Sequence, residues 1–541
     1  MHFYYISFLN GNIRNCYIKQ SIQLCVLIYL IFSCSGNKEV NKPEYEELPV
    51  SSLPGNSLAK THCGGCHTFV NPEFLPKSSW KNHVLPSMGY RLGIFEDDHP
   101  PDSLFGLDFG DSILRKANIP EKPVLAKADW IKIVDYYLEN APDTILPPTR
   151  SKKIKMGLKH FTYKRTSYSH QPPHTVMVKI RSANRGVVFS DGKRNINRLT
   201  FLTSDLKKDY ELSFKKAPIH YYEKSDTVYL TTVGESVFPH DLPQGELHKV
   251  FRKEPEQKYN TANLIISNLQ RPVFMVYGDL NSDGFEDIVT CEFGSLTGKL
   301  VWLEKSVNNK YSKRLLRSKP GAITAIIKDV NNDGLMDILA LMAQGDEGVF
   351  LYENQGNSAF KEKRLLSFPP LYGSQYIELA DFNSDGFDDL IYVCGDNGDK
   401  SPILKSYHGI YIYLNDGNFS FTQIYFYQLN GAYKALPRDY DLDGDLDIAA
   451  ISFFPDYYSY PEESFIYLEN KGNFEFIEYS FPESINGRWM VMDAGDMDSD
   501  GDIDLALGSH VFIQPKGDTT GLSRRWAMIG PSVIVLENTI Q

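Results

Sequence analysis

Five copies of one acidic nonapeptide, spaced almost evenly through the second half of the chain, constrain the fold more than any other feature of this sequence. They read DLNSDGFED from Asp279, DVNNDGLMD from Asp329, DFNSDGFDD from Asp381, DYDLDGDLD from Asp439 and DMDSDGDID from Asp496. Their starts are separated by 50, 52, 58 and 57 residues, a period that suits one four-stranded unit with its loops. Each copy runs into an apolar, β-branched stretch (DIVTCEF, DILALMA, DLIYVCG, DIAAISF, DLALGSH). Each unit then carries a second such stretch (GKLVWLEK, GVFLYENQGN, GIYIYLNDGN, SFIYLENKGN, SVIVLENT), so the repeating unit is built of strands.

Within a copy, oxygen-bearing side chains fall at positions 1, 3, 5 and 9, and glycine at 6 permits a sharp turn. Hard oxygen ligands at that density suit Ca²⁺, and carboxylates crowded so closely repel one another without a cation. In the first copy the ligands are the side chains of Asp279, Asn281, Asp283 and Asp287, with the backbone carbonyl of Phe285. The corresponding sets are Asp329, Asn331, Asp333, Leu335 and Asp337; then Asp381, Asn383, Asp385, Phe387 and Asp389. The last two are Asp439, Asp441, Asp443, Asp445 and Asp447; and Asp496, Asp498, Asp500, Asp502 and Asp504, with position 7 acting through its carbonyl. An EF-hand would demand a bidentate Glu at position 12. Thr290, Ala340, Tyr392, Ala450 and Leu507 stand there instead.

A calcium loop, a buried strand and a YLENxGN strand together resemble the FG-GAP/VCBS repeat family, whose units are blades of integrin-type β-propellers. The resemblance covers 272–541. Upstream, VMVKIRSANRGVVFSDG with NRLTFLTSD, and IHYYEKSDTVYLTTVGE with GELHKVF, have strand texture without the acidic loop. They are expected to form two degenerate blades, giving an all-β seven-bladed ring over 176–541 that binds up to five Ca²⁺ as rigidifying ions. The C-terminal VIVLENT is expected to complete the last blade or pair with the first.

The pentapeptide Cys63, Gly64, Gly65, Cys66, His67 has the CxxCH spacing of c-type haem attachment, in which both thiols bond one porphyrin and the histidine binds its iron. A zinc half-site would need a second pair of ligands, and a thioredoxin-like dithiol a βαβ context. Residues 128–141, ADWIKIVDYYLENA, place Trp130, Ile133, Val134, Tyr137 and Leu138 on one face of a helix that Pro142 ends. With Trp80 and Val84 on a short helix leading to Pro86 and Met88, residues 53–145 resemble the small all-α class I cytochrome c fold. That resemblance implies one covalent haem c with Met88 as sixth iron ligand, a closed site that carries electrons. His62, His83, His99 and Met156 stand as substitutes for Met88. The Pro-rich, basic stretch 146–175 reads as an interdomain linker, with His160, His170 and His174 solvated.

The apolar run 21–33 follows Arg14 and Lys19 and has signal-peptide length. It ends at Ile31, Phe32, Ser33 and Cys34, which resembles a bacterial lipoprotein lipobox with Cys34 as the lipidated residue; a non-cleaved anchor or cleavage nearby are the alternatives. Residues 34–52 then form a flexible tether, and the protein is expected to be an exported lipoprotein of a bacterial outer membrane or periplasm, touching the membrane through its lipid. Cys291 and Cys394 are expected as buried thiols or one bridge. The net charge of −12 argues against nucleic acid as a partner. The chain is expected to be an electron carrier whose propeller docks a redox protein. The alternatives are a surface glycan- or protein-binding propeller with an accessory haem domain, and the electron-transfer subunit of an exported dehydrogenase. The His240–Asp241 pair after Pro239 is the one stretch that suggests chemistry in the propeller.

Overall fold

The computed structural model describes residues 48–95, 119–120, 122–150 and 153–540, apart from 182, 194–195, 226, 239, 254–257, 260–261, 295, 398–402 and 512–517. Cys34, the apolar run 21–33, most of the tether, His99 and Pro239 lie outside the described residues. Among the described residues no helix is long and apolar enough to cross a membrane.

The described strands form seven sheets, and the chain is a seven-bladed β-propeller with a small helical unit before it. Blades 1 to 5 occupy 175–214, 218–269, 272–317, 322–367 and 374–428. Blade 6 spans 432–480 and blade 7 is built from 489–538. Burial follows the radius of the ring. In blades 3 to 7 every residue of the second strand is buried (Asp287–Glu292, Asp337–Met342, Asp389–Cys394, Asp447–Ser452, Asp504–Ser509), because neighbouring blades cover both faces. Outer strands such as Tyr311–Arg317 and Phe360–Ser367 are mostly exposed and lysine- and arginine-rich, which discourages edge pairing with other chains. The core is therefore a ring of inter-blade clusters; Trp302 and Val289 of blade 3, for example, pack with Ile338 and Tyr352 of blade 4.

Ring closure differs from the sequence expectation. The strand Val533–Asn538 is the third of blade 7, and the outer strand comes from the N-terminal side: Phe161–Arg165 pairs antiparallel with it, Phe161 opposite Asn538 and Arg165 opposite Ile534. Lys155–Met156 adds a parallel edge to blade 6, opposite Tyr479 and Ser480. Residues 146–175 are thus no linker; they clasp the first and last parts of the propeller together. The reason is apolar: Phe161 is buried with its ring 5.8 Å from Tyr440 and 5.7 Å from Tyr467, and Ile154 is buried between blades 5 and 6. His170 is likewise buried, hydrogen-bonded through Nδ1 to Asp191, and His174 bridges to His510, so these histidines are not solvated.

The helical unit comprises α1 (Gly55–Cys63), a turn Lys77–Ser79 running through the π-helical Trp80–Val84 into α2 (Leu85–Arg91), and α3 (Lys127–Asn140). Trp130, Ile133 and Tyr137 are buried on the face that periodicity marked out. α1 and α3 meet at Gly55, where a Cβ would stand 2.1 Å from the carbonyl oxygen of Lys132. Trp80 donates to the carbonyl of Pro72 at 2.7 Å and Tyr137 to that of Val70 at 2.9 Å, tying the intervening loop to the helices. This unit shares its core with the propeller: Leu371 of the connection before blade 5 and Ile403 and Tyr407 of blade 5 pack into it, with the Tyr407 ring 5.7 Å from Phe74.

Candidate functional site

The CGGCH motif lies where α1 ends. Cys63 is its last residue, and Cys63 and Met88 both pack against the Leu58–Trp80–Trp130 cluster. Cys66 is exposed, and neither cysteine is in a disulfide. Burial pushes the Cys63 thiol up to about 11. His67 Nδ1 lies 2.9 Å from the carbonyl of Thr68. A carbonyl only accepts, so Nδ1 is the donor there, and Nε2 is the ring nitrogen that remains for a metal. Trp130 is buried, and its Nε1–H has no partner among the described residues. These residues suit a haem edge: two thiols, a ligating nitrogen, a thioether and a spare donor for a propionate. Of the substitutes for Met88, His62 and His83 share the helical unit, whereas Met156 is half exposed on the outer edge of blade 6.

Arg91 of α2 lies in the field of both Cys66 and Asp241, a residue of the loop between the second and third strands of blade 2. Asp241 is itself held structurally: its Oδ1 accepts Leu296 N–H, Thr297 N–H and Thr297 Oγ1–H at 2.8, 2.8 and 2.9 Å. Asp241 is therefore a brace between blades 2 and 3, while His240 Nδ1 accepts Leu242 N–H at 3.2 Å within its own loop.

All five acidic nonapeptides form the same loop between the first and second strands of blades 3 to 7. Position 1 accepts the N–H of the glycine at position 6, at 2.8, 2.9, 2.9, 3.1 and 3.3 Å from the first loop to the last. Those glycines have φ from +83° to +99°, and a Cβ there would meet nothing within 4 Å, so the requirement is conformational. Position 9 does more than the motif implies. Asp337, fully buried, accepts N–H groups from Val330 at 3.0 Å and from Asn354 at 2.7 Å, locking the loop to the end of the third strand. Asp287, Asp389 and Asp504 are held in the same way, while Asp447 takes Asn470 N–H and the Tyr467 hydroxyl. The asparagine of YLEN explains its place too: Asn354 Nδ2 donates to Met336 O in its own blade and to Leu280 O in blade 3.

The loops divide into two kinds. In blades 3, 4 and 5 the amide of Asn281, Asn331 or Asn383 donates to Asp283, Asp333 or Asp385 at 3.0, 3.0 and 2.8 Å, which relieves the charge. In blades 6 and 7 aspartate replaces that asparagine, and position 7 adds Asp445 and Asp502. Ligand oxygens of Asp439, Asp441 and Asp443 lie within 4.8 Å of one another, as do those of Asp496, Asp498 and Asp504. Oδ1 of Asp441, Asp445 and Asp498 and both oxygens of Asp502 are buried without a hydrogen-bond partner among the described residues. Burial, reinforced by neighbouring carboxylates, pushes Asp502 and Asp447 up to about 7 and Asp504 up to about 6. Orphaned, mutually repelling oxygens of this kind suit a hard cation. The side chains of Asp445 and Asp502 were not among the expected donors at position 7, where only a carbonyl was; the extra acid in DGDLD and DGDID is the signal that marks them.

Residues 329–392, from the loop of blade 4 to the second strand of blade 5, match the family model described as FG-GAP-like repeat. No curated protein matches the chain. Among solved structures the chain is similar to the N-terminal domain of Nup159, with 12% identity over 71% of this chain and 97% of that one and a TM-score of 0.41.

Proposed function

We propose that this protein is an exported, lipid-anchored c-type cytochrome that transfers single electrons, its haem unit seated on a calcium-stabilised FG-GAP propeller that docks a redox partner. The observation that carries the reading is the CGGCH motif closing α1, with His67 Nε2 remaining for a metal and Met88 packed against the same apolar cluster as Cys63. Bound haem c supplies a one-electron couple, which methionine ligation raises in potential. The chain's own residues do the rest. Cys63 and Cys66 would anchor the porphyrin, and His67 and Met88 would ligate its iron. Trp130 offers its unpartnered N–H to a propionate, and the apolar cluster keeps water from the metal. The seat on Leu371, Ile403 and Tyr407 holds this unit against blade 5, so a partner docked on the propeller would meet the haem at a fixed distance.

Calcium in the five loops is part of the proposal, with the residues of blades 6 and 7 the strongest binders because their orphaned oxygens gain most from a cation. The propeller's role is then rigidity and docking. Export and lipidation at Cys34 are proposed from the sequence alone. The test is the visible spectrum of the protein matured with haem, oxidised and reduced. A low-spin spectrum with the charge-transfer band of methionine ligation, lost in Met88→Ala, is expected. A five-coordinate iron in the unmodified protein would instead mean an open site, suited to ligand sensing.

A further inference from the structure

The propeller ring has one seam, where the chain that follows the clasp strand Phe161–Arg165 crosses from blade 7 to blade 1. Three residues of that crossing are stitched to the segment just before the last strand of blade 7. Ser532 N–H donates to Ser169 Oγ at 2.9 Å, His170 N–H to Ser532 Oγ at 2.8 Å, and Gln171 Nε2 to Gly530 O at 2.7 Å. On the blade 1 side stands the connection between its second strand, Val187–Asp191, and its third, Asn197–Leu202. Between these two walls is a cavity of about 250 Å³, lined by Ser169, His170, Gln171, Lys193, Ile196 and Arg198.

Lys193 and Arg198 bring two positive charges to this cavity, and the acids behind it are already engaged. Asp191 is buried with both oxygens taken, Oδ1 by Arg198 N–H at 2.8 Å and Oδ2 by His170 Nδ1. Glu211 Oε2 accepts the Tyr168 hydroxyl at 2.7 Å and the Thr200 hydroxyl at 3.2 Å, and lies 3.3 Å from Lys208 Nζ. Its Oε1 is 3.6 Å from Arg198 Nε, which is beyond hydrogen-bond reach. The Arg198 guanidinium therefore has no hydrogen-bond acceptor among the described residues. Lys193 Nζ has one, the neutral carbonyl of Gln171 at 3.2 Å, and no carboxylate of the described residues stands within ion-pair distance of it. Burial holds the Lys193 ammonium below the usual lysine range, and the like charge of Arg198 acts in the same direction, against Asp191. An ammonium with three donors and a guanidinium with five thus line one cavity with most of their capacity unused.

We propose that this seam cavity is a binding site for a small oxyanion, inorganic phosphate or a short carboxylic acid, held between Lys193 and Arg198. The size argues for a small ligand, because drug-sized molecules occupy pockets of about 300–1,000 Å³. The charge argues for an anion, whose oxygens supply the charge-assisted hydrogen bonds that the protein omits. One wall belongs to the clasp and the other to blade 1, so the bound anion also ties the closed ring and raises its melting temperature. No residue of the CGGCH unit takes part, and the site stands whether or not the chain carries haem.

The measurement is calorimetric titration of the full chain in chloride-free buffer with inorganic phosphate and, separately, succinate, beside thermal melts with each. Saturable one-to-one binding of at least one probe, with a rise in Tm, is expected, and the tighter probe identifies the preferred head group. Lys193→Gln and Arg198→Gln should each weaken binding about tenfold or more, since each removes charge-assisted hydrogen bonds. Lys193→Gln should also leave the ligand-free melt unchanged, because that side chain holds only one carbonyl. Lys207→Gln removes a positive charge from the same blade outside the cavity, on a side chain 75% exposed, and should bind as the unmodified chain does. The proposal is overturned by the absence of saturable binding with both probes, or by binding that survives both cavity variants. Binding that Lys207→Gln weakens as much as the cavity variants do overturns it too, because the attraction would then belong to the general charge of the blade.

Discussion

Replacing Asp502 by asparagine should stabilise the metal-free protein and blunt its response to calcium, a reversal of sign that a carboxylate with a purely structural role would not show. Asp502 is 2% exposed, neither oxygen has a hydrogen-bond partner among the described residues, and burial with repulsion from Asp500, Asp504 and Asp498 pushes it up to about 7. An unfolded aspartate titrates near 3.9, so between about pH 4 and pH 7 the folded state holds the extra proton and stability falls as pH rises through that window. Three units of pKa correspond to about 4 kcal/mol at pH 8, an upper bound because the carboxylates titrate together. Asparagine removes that cost but leaves an amide to satisfy, at about 1–3 kcal/mol when it fails. The net gain is therefore about 1–3 kcal/mol without metal. With calcium the same change removes a charge from the site, and the cation-induced rise in Tm should shrink. The assay is a thermal melt at pH 5 and pH 8, in chelator and in excess calcium, for the unmodified protein and Asp502→Asn. A variant less stable than the parent in chelator at pH 8 would mean that Asp502 does not strain the metal-free loop, and an undiminished calcium response would mean that it does not bind the cation.

Three further outcomes are expected. Phe161→Ala should cost about 3–5 kcal/mol in urea unfolding, as a core phenylalanine does, whereas a residue in a true linker would change stability by less than about 0.5 kcal/mol. Gly55→Ala should cost about 1–3 kcal/mol within the helical unit, because its Cβ would stand 2.1 Å from a backbone oxygen, and should lower the yield of haem-loaded protein. Tyr407→Ala should leave the propeller melt intact but expose the helical unit to proteolysis, since the Tyr407 ring stacks on Tyr372 at 4.7 Å and meets Phe74 of the helical unit, tilted, at 5.7 Å.

How far the sequence reveals this architecture depends on whether a feature is local. The five-blade repeat is legible because loop, buried strand and YLEN strand recur together, and each blade repeats the same short-range hydrogen bonds. The count of seven follows from two further segments of strand texture at the same period. Ring closure by Phe161–Arg165 is not legible, because FTYKR pairs with residues almost the whole propeller away in sequence, and its Pro- and Lys-rich flanks look like a linker. The buried role of His170 and the bridge from His174 to His510 are hidden for the same reason. In the loops, positions 1 and 6 behave as the motif implies, whereas the backbone clamp made by Asp287, Asp337, Asp389 and Asp504 appears only when the third strand is in place.

The proposed electron transfer requires that CGGCH carry covalent haem. The measurement is the intact mass of the protein produced with haem-maturation machinery and extracted with acid acetone, beside the Cys63→Ala/Cys66→Ala variant. A mass increased by one haem that survives extraction and is absent in the variant is expected. A chain of unmodified mass, with both thiols still free to alkylate, would rule the cytochrome reading out.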